Sequence, residues 1–338
     1  MNEKTLYLKY RPQTLDEIIG QEDVVKVLKN SIKNDKLSHA YLFTGSRGTG
    51  KTTTARAFAK ELGVHKDDIL ELDAASNNGV EEMKAITESV YTLPFFSKYK
   101  MYILDEAHML TKHASNAFLK TLEEPPKHVI FVLCTTDPEK MLETVLSRCT
   151  QFNLKSPSQT TLSKFLESVC KSEDIKMDKE AINLVAFSGS GSYRDSLSNM
   201  QKVLSFPNTK YTGEVVGDIL GIAPTKALFG YLLALDGVED VQSGIDVLRE
   251  LDQKGIDKKL FARELSYFAR LIILARHKLI KEAEIREEYG EHILEFLSEF
   301  MKNKKPRINS TILSKIIEAE ILAKTSSLPF LSYELLLI

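Results

Sequence analysis

The sequence is poor in the features of secreted and membrane-spanning proteins. Its 338 residues include three cysteines, Cys134, Cys149 and Cys170, which lie far apart and form no Cys-x-x-Cys pair. We therefore expect neither a disulfide framework nor a structural zinc site. Long apolar runs are missing too, since runs such as residues 335–338 are far too short to cross a bilayer. A membrane partner is not expected.

Targeting signals and net charge are also lacking. Residues 1–5 have neither the apolar core of a signal peptide nor an arginine-rich transit pattern, so the predicted location is the cytoplasm. The formal net charge is only −2, so any contact with nucleic acid must use a local patch or helix N-termini. The contents of 43% hydrophobic and 27% charged residues are those of a globular chain, and the length suffices for two or three domains.

What the sequence does contain is a complete phosphate-binding loop. Gly45, Gly48 and Gly50 let the backbone turn tightly, so that successive N–H groups point at phosphate oxygens. Lys51 reaches the β- and γ-phosphates, and the Thr52 hydroxyl is a ligand for Mg²⁺. The whole loop is Gly45-Ser46-Arg47-Gly48-Thr49-Gly50-Lys51-Thr52. It predicts a nucleoside triphosphate as the ligand.

The neighbours of this loop agree with that prediction. Residues 39–44 are typical of a buried strand. Residues 53–62, from Thr53 onward, are typical of a helix, whose N-terminus adds its positive dipole end to the site. A glycine-rich turn without a ligand is the alternative, and the order of strand, loop and helix argues against it.

A second segment supplies two carboxylates. The apolar run 101–104 ends in Asp105 and Glu106. Downstream of a phosphate-binding loop, Asp105 is predicted to hold Mg²⁺ and Glu106 to polarise the attacking water as general base. The pair favours hydrolysis over binding alone. We interpret His108 as a partner of the local loop and not as a catalyst, because it has no triad partner.

Further polar positions follow along the chain. The apolar strand 129–133 leads into residues 134–138, where a polar side chain would sense the γ-phosphate or orient water. Arg148 and Arg194 have the planar, permanently charged group that suits phosphate. Such an arginine can act on a nucleotide bound by a neighbouring subunit. For each arginine, the alternative is a surface position or an ordinary salt bridge.

The pattern of predicted elements changes along the chain. Strand and helix signals alternate in the first part, which predicts a parallel sheet covered on both faces. A capping-box pattern at residues 14–17 predicts the start of a helix. After residue 156 only helices are predicted, with a break near residues 217–224. In residues 260–274 one helix face is apolar, with Phe261, Leu265, Phe268 and Ile272 at helical spacing.

Four segments resemble a known family. They are YRPQTLDEIIGQ at residues 10–21, HAYLF at 39–43, DEAHML at 105–110 and LKTLEEPP at 119–126. These segments are similar to those of AAA+ clamp-loader ATPases, and most of all to the gamma/tau subunits of bacterial DNA polymerase III. The resemblance is dense from about residue 7 to residue 197 and fades in the last third of the chain.

The resemblance implies a fold and its domains. The fold is α/β, with an AAA+ P-loop domain built on a parallel five-stranded sheet over residues 1–157. A small helical lid over residues 158–222 and an all-α collar over residues 223–338 would follow. The apolar face in residues 260–274 would join subunits in this collar.

The resemblance also implies roles for single residues. Thr136 would be the first sensor, Arg148 would act in trans on ATP bound by the next subunit, and Arg194 would contact the γ-phosphate in cis. The residues implied to lie against the adenine are Arg11, Pro12, Ile18 and Ile19.

The implied partners are those of a clamp loader. They are the delta and delta-prime subunits, further gamma/tau copies, the ring-shaped sliding clamp and the backbone of primer–template DNA. The ATP-bound assembly would open the clamp and grip DNA, and DNA would then trigger hydrolysis and release.

Two features depart from the family pattern. Residues 61–69 replace a four-cysteine zinc module without a cysteine, so zinc is not carried over. The chain ends at Ile338 with none of the long tail of tau forms, so it is expected to resemble the shorter gamma form or to come from a lineage that lacks the tail.

Two segments have open interpretations. Thr111, Lys112 and His113 precede a helix where DNA phosphates would bind, or they form an ordinary solvated helix start. Residues 93–96, Leu-Pro-Phe-Phe, would touch the clamp as an apolar tip or pack in the core, and we favour the core.

Other functions remain as alternatives to the clamp-loader motor. A replication factor C-like small subunit or a branch-migration motor would share the loop and the carboxylates. A structural arm that does not hydrolyse ATP would not need Lys51, Thr52, Asp105 and Glu106 intact. A small-molecule kinase would need an acceptor pocket, and no segment resembles one.

Overall fold

The computed structural model describes residues 5–207, 210–289, 291–323, 328 and 330–338. The chain divides into two compact units. The first contains the residues up to 169 together with residues 189–201, and the second contains residues 170–188 and 202–338. The division into three domains at residues 157 and 222 stays a prediction.

A parallel sheet forms the centre of the first unit. Within the described residues it has five strands in the order β2-β3-β4-β1-β5, and every pairing is parallel. The strands are β1 Ala40–Thr44, β2 Ile69–Asp73, β3 Lys100–Asp105, β4 Val129–Thr135 and β5 Thr150–Asn153. The central strands β1, β3 and β4 are buried on both faces, and their interior residues are apolar because helices cover both faces of the sheet. The predicted five-stranded parallel sheet is confirmed.

Alternate residues of the strands enter two separate cores. On one face, Tyr41 and Phe43 pack with Phe58, and on the other, Leu42 packs with Phe118. The helices of this unit are α1 Leu6–Lys9, α2 Glu22–Lys33, α3 Lys51–Glu61, α4 Val80–Ser89, α5 Lys112–Glu123, α6 Glu143–Leu146, and most of α7 Gln159–Ser172 and α9 Tyr193–Leu204. Single 3-10 turns lie at Leu15–Glu17, Lys66–Asp68, Ala107–Met109 and Pro138–Lys140.

The predicted helix start at residues 14–17 is wrong. Only one 3-10 turn forms there. The Glu17 carboxylate accepts hydrogen bonds from the Gln13 N–H at 2.7 Å and from the Thr14 hydroxyl at 3.0 Å, and the Thr14 side chain makes no cap bond to a backbone N–H. The backbone is extended again at Ile18, with φ −78° and ψ 120°. The first long helix, α2, therefore begins only at Glu22.

The regular elements in the described residues of the second unit are helices, apart from one isolated bridge between Met177 and Tyr211. Its core is rich in aromatic rings, including Phe229 stacked on Phe296 with centroids 4.5 Å apart. Besides the ends of α7 and α9, its helices are α8 Lys179–Ser188, α10 Gly213–Leu220, α11 Thr225–Asp236, α12 Val241–Gln253, α13 Lys258–Arg276, α14 Glu282–Tyr289, α15 Glu291–Lys302, α16 Ser310–Ala323 and α17 Leu331–Leu337.

The apolar face of α13 has a different role from the expected one. Phe261, Leu265 and Ile272 are fully buried inside this unit, and Phe268 packs against the same core. The face therefore stabilises the unit itself and is unavailable for joining subunits. The predicted break at residues 217–224 is shorter than expected, because Gly217 lies inside α10 and the helix ends at Leu220.

Within the described part of the chain, no single helix is both long and apolar enough to cross a bilayer. One pair of helices, α10 and α11, meets the length and composition test together, with a bend of 70° between them.

Candidate nucleotide-binding site

The phosphate-binding loop joins β1 to α3, as predicted. Each of its three glycines has a positive φ, of 141° at Gly45, 76° at Gly48 and 99° at Gly50. A Cβ at Gly45 would overlap the Leu154 carbonyl, and one at Gly48 would overlap the Ser192 hydroxyl. The loop therefore depends on glycine for both its backbone conformation and its close contacts.

Lys51 places a positive charge beneath this loop. It is 6% exposed, and its Nζ donates hydrogen bonds to the Gly45 and Ser46 carbonyls at 2.9 and 3.0 Å. Burial lowers the pKa of Lys51, and the Glu106 carboxylate opposes that shift. A buried cation beside a loop of backbone N–H groups fits the phosphates of a nucleotide.

Thr52 and Asp105 bring together the oxygen atoms that suit Mg²⁺. The Thr52 hydroxyl donates to Asp105 Oδ2 at 2.7 Å, so the start of α3 and the end of β3 meet at one point. A hydroxyl and a carboxylate are oxygen ligands of the kind that Mg²⁺ takes next to phosphates. The donor set therefore fits the predicted metal.

Glu106 follows directly in a left-handed backbone conformation, with φ 48° and ψ 43°. Its N–H donates to Asp105 Oδ1 at 3.0 Å, and its Oε2 lies 3.5 Å from the Thr136 hydroxyl. Such a conformation is uncommon for a residue other than glycine, and strain of this kind concentrates at functional sites.

His108 connects this corner to the end of β4. Its Nδ1 lies 2.9 Å from the Thr135 hydroxyl and 3.6 Å from Glu106 Oε2, and its Nε2 lies 3.4 Å from Asp137 Oδ2. Thr136 in turn donates to Asp137 Oδ2 at 2.8 Å. His108 is thus a partner of the local loop, as the sequence indicated.

A cavity of about 720 Å³ opens over the loop and the carboxylates. Residues 47–53 line its phosphate end together with Asp105 and Glu106. The residues predicted for the adenine line it as well, namely Arg11, Pro12, Ile18 and Ile19.

Arg11 donates from Nε to the Thr53 hydroxyl at 3.1 Å, and burial lowers the pKa of Arg11. Arg194 also lines the cavity, so the structure brings it to the predicted nucleotide site.

The described residues that line this cavity do not include Arg148 or Thr136. The Thr136 hydroxyl lies 3.5 Å from Oε2 of Glu106, which does line the cavity. Arg148 is bound elsewhere, because its Nη2 pairs with Glu123 Oε1 at 2.6 Å and its Nη1 donates to the Thr144 carbonyl at 2.7 Å.

Tyr193 is a site residue that the sequence reasoning missed. Its N–H donates to the Gly48 carbonyl at 3.1 Å, and its hydroxyl donates to the Ile19 carbonyl at 3.0 Å. Its ring meets Phe165 edge to face, and burial raises the pKa of Tyr193 to about 12. Its position beside Arg194 is the one signal in the sequence that could have suggested this role.

Tyr7 is a second missed residue. The Arg194 guanidinium lies over the Tyr7 ring, 5.3 Å from its centroid, and both side chains line the cavity. Such a contact between a cation and a ring orients the arginine.

The interpretation of residues 93–96 as core is wrong. Leu93, Phe95 and Phe96 are 73%, 80% and 69% exposed, and we call residues 93–96 the apolar tip. The buried Asp68 carboxylate accepts hydrogen bonds from the Phe95 and Phe96 N–H groups at 2.6 and 2.9 Å. These bonds turn the backbone inward and leave the rings outside.

Thr111 caps α5, since its hydroxyl accepts a hydrogen bond from the Ala114 N–H at 3.2 Å. The side chains of Lys112 and His113 are exposed in the first turn of that helix. The segment is thus an accessible helix N-terminus with a cation beside it, which leaves both interpretations of it open.

Two family models match the chain. The one described as DNA polymerase III, delta subunit, matches residues 20–79 and 63–158. The one described as DNA polymerase III clamp loader subunit, ATPase lid domain, matches residues 161–206.

Curated relatives extend this match along the chain. The DNA polymerase III subunit gamma of Buchnera aphidicola subsp. Acyrthosiphon pisum is 34% identical, over 91% of this chain and 90% of the relative. The chain belongs to the gamma/tau subunit family of DNA polymerase III. It is therefore an ATPase subunit of a clamp loader, which works with other subunits of that assembly.

Longer members of the family are also similar. The subunit tau/gamma of Haemophilus influenzae is 39% identical over 70% of this chain, and the subunit tau of Bacillus subtilis is 35% identical over 81%. The chain spans 37% and 52% of their lengths, about half or less.

Solved structures confirm the AAA+ fold. The Holliday junction branch migration motor RuvB of Thermotoga maritima matches with a TM-score of 0.53 and 19% identity, over 73% of this chain and 86% of RuvB. At this identity the match shows the fold alone. The relatives of 34–39% identity are gamma and tau subunits, so the prediction of a clamp-loader ATPase is confirmed.

Proposed function

We propose that this chain is the motor subunit that uses ATP to open the sliding clamp and load it on primer–template DNA. The observation that supports the proposal is the grouping of Lys51, the Thr52–Asp105 pair, Glu106 and Arg194 around one cavity. An assembly arm that does not hydrolyse ATP would not need both carboxylates at this place.

Within this proposal, ATP lies with its phosphates on the loop and its adenine against Arg11, Pro12, Ile18 and Ile19. Thr52 and Asp105 would hold Mg²⁺, which when bound would neutralise phosphate charge. Lys51 exchanges its two carbonyl partners for phosphate oxygens. Glu106 takes a proton from the attacking water, and Thr136, 3.5 Å from Glu106, orients that carboxylate.

The two arginines act on different copies of the site. Arg194 already lines the cavity and contacts the γ-phosphate in cis. Arg148 is attached to α5 and α6 instead, and it serves the ATP of the next subunit. A permanently charged planar group that arrives only on assembly makes hydrolysis depend on the arrangement of subunits.

Exposed segments of the chain are the surfaces that we assign to the clamp, to DNA and to other subunits. The apolar tip suits a hydrophobic pocket of the clamp, since three large side chains are exposed there and Asp68 binds the backbone of two of them, Phe95 and Phe96. The N-terminus of α5 at Thr111 suits the DNA backbone. Delta, delta-prime and further gamma/tau copies bind the helical collar. There, Ile317 and Ile321 form an exposed apolar pair on α16.

The proposal also includes a cellular location and a division into domains. A subunit that uses ATP and acts on DNA is proposed to work in the cytoplasm. The parts remain the AAA+ domain over residues 1–157, the lid over 158–222 and the collar over 223–338.

The test is the response of ATP hydrolysis to clamp and DNA. The chain should co-purify with the clamp and the delta-type subunits, and the ATPase rate of that complex should rise when clamp and primed DNA are added together. A four-way DNA junction serves as the control substrate. Stimulation by the junction alone, or a rate that clamp and primed DNA leave unchanged, would contradict the proposal.

A further inference from the structure

Arg148 is not free in the described part of this chain. Its Nη2 pairs with Glu123 Oε1 at 2.6 Å, and its Nη1 donates to the Thr144 carbonyl at 2.7 Å and lies 3.5 Å from the Ser147 hydroxyl. Glu123 is the last residue of α5, and Arg148 follows the end of α6. Two elements of the same chain thus hold the guanidinium.

The pair with Glu123 opposes the role proposed for Arg148. A carboxylate and a phosphate compete for the same N–H groups of a guanidinium, and the two anions repel each other at one arginine. To bind a neighbour's γ-phosphate with the N–H group that Glu123 holds, Arg148 must therefore release Glu123. The Thr144 carbonyl is neutral, so its hydrogen bond with Arg148 does not repel a phosphate.

The solvent exposure of Arg148 and Glu123 determines how strongly this ion pair can restrain Arg148. The side chains of Arg148 and Glu123 are 33% and 50% exposed, so water and salt screen their attraction. Exposed pairs of this kind shift an equilibrium by about twofold to fivefold. Glu123 can thus hold Arg148 back without preventing its release when a phosphate is correctly placed.

We propose that Glu123 is a positioning residue that keeps Arg148 away from the neighbouring nucleotide until clamp and DNA align the subunits. This inference rests on the trans role proposed for Arg148. It assigns to Glu123 a restraint on hydrolysis in the absence of clamp and DNA.

The test compares Glu123→Gln with Glu124→Gln in the assembled complex. Glu124 is the matched control, because it is exposed and lies next along the chain at the same helix end. Without clamp or DNA, Glu123→Gln should raise the turnover of Mg-ATP about twofold to fivefold with an unchanged KM. Glu124→Gln should leave both unchanged. Glu123→Asp, which keeps the carboxylate, should stay closer to wild type.

The effect must also pass through Arg148. In an Arg148→Ala background, Glu123→Gln should change nothing. Equal turnover in the two glutamine variants, or an effect that persists without Arg148, would overturn the positioning role while leaving the proposed function intact. If Arg148→Ala alone leaves stimulated hydrolysis at the wild-type rate, the trans role fails and the restraint fails with it.

Discussion

The nucleotide cavity and the region around Arg148, Glu123 and Thr144, which we call the edge, belong to the same unit. They differ in whether their functional residues already lie together. At the cavity, Lys51, Thr52, Asp105 and Arg194 converge from three places in the sequence on one space. At the edge, Arg148 is bound by Glu123 and Thr144 of its own chain.

This difference separates two properties of the ATPase. In the proposed function, the residues that line the cavity bind ATP and activate water. The proposed contribution of the edge is made only in an assembly. Binding should therefore be a property of the single chain, and fast hydrolysis a property of the complex.

The largest effect on the cavity side is expected from Glu106→Gln. The amide cannot accept the proton of the attacking water, so the hydrolysis rate of the assembled complex should fall by about 10²- to 10⁴-fold. The measurement is steady-state phosphate release with clamp and primed DNA.

Nucleotide affinity is the control for this variant. Glu106 is not a member of the loop that cradles the phosphates, so titration of the isolated chain with a fluorescent ATP analogue should show no weakening. A variant that hydrolyses ATP at the wild-type rate would remove Glu106 from its role as the base.

A smaller effect is expected from Tyr193→Phe. It removes the bond from the hydroxyl to the Ile19 carbonyl, which lies beside the predicted adenine position. One such bond corresponds to about 0.5–1.5 kcal/mol. We expect the KM for ATP to rise about twofold to tenfold, with a smaller change in kcat.

Tyr211→Phe is the matched control for that experiment. Tyr211 makes the same type of bond, from its hydroxyl to the Phe206 carbonyl at 3.0 Å, in the second unit. Its loss should lower thermal stability without changing the KM. Equal KM values in the two variants would show that Tyr193 has no special link to the nucleotide.

Most of the cavity could be predicted from the sequence, because local motifs define it. The phosphate loop and the pair Asp105 and Glu106 are short runs whose spacing determines their geometry. Tyr193 could not be found in this way. It contacts Gly48 and Ile19, about 145 and 174 residues away in sequence, and only tertiary packing brings them together.

The apolar face of α13 and the apolar tip show when the spacing of apolar residues predicts burial and when it does not. The face of Phe261, Leu265 and Ile272 has helical spacing and lies in the core, so periodicity identifies it as apolar but does not say what it packs against. The apolar tip has no periodicity, and hydrophobicity alone wrongly predicted that it is buried. Its exposure depends on Asp68, whose bonds to the Phe95 and Phe96 N–H groups cannot be read from a local pattern.

The most direct test of the account is a pair of measurements on Arg148→Ala. Because Arg148 is outside the described lining of the cavity, the isolated chain should bind ATP as wild type does. In the complex with clamp and primed DNA, hydrolysis should fall by about 10³-fold or more.

Arg249→Ala is the matched control, since Arg249 pairs with Asp246 on the surface of α12 at 3.2 Å, and it should change neither value. Weakened ATP binding by the isolated Arg148→Ala chain, or wild-type hydrolysis by its complex, would contradict a site completed by a neighbouring subunit.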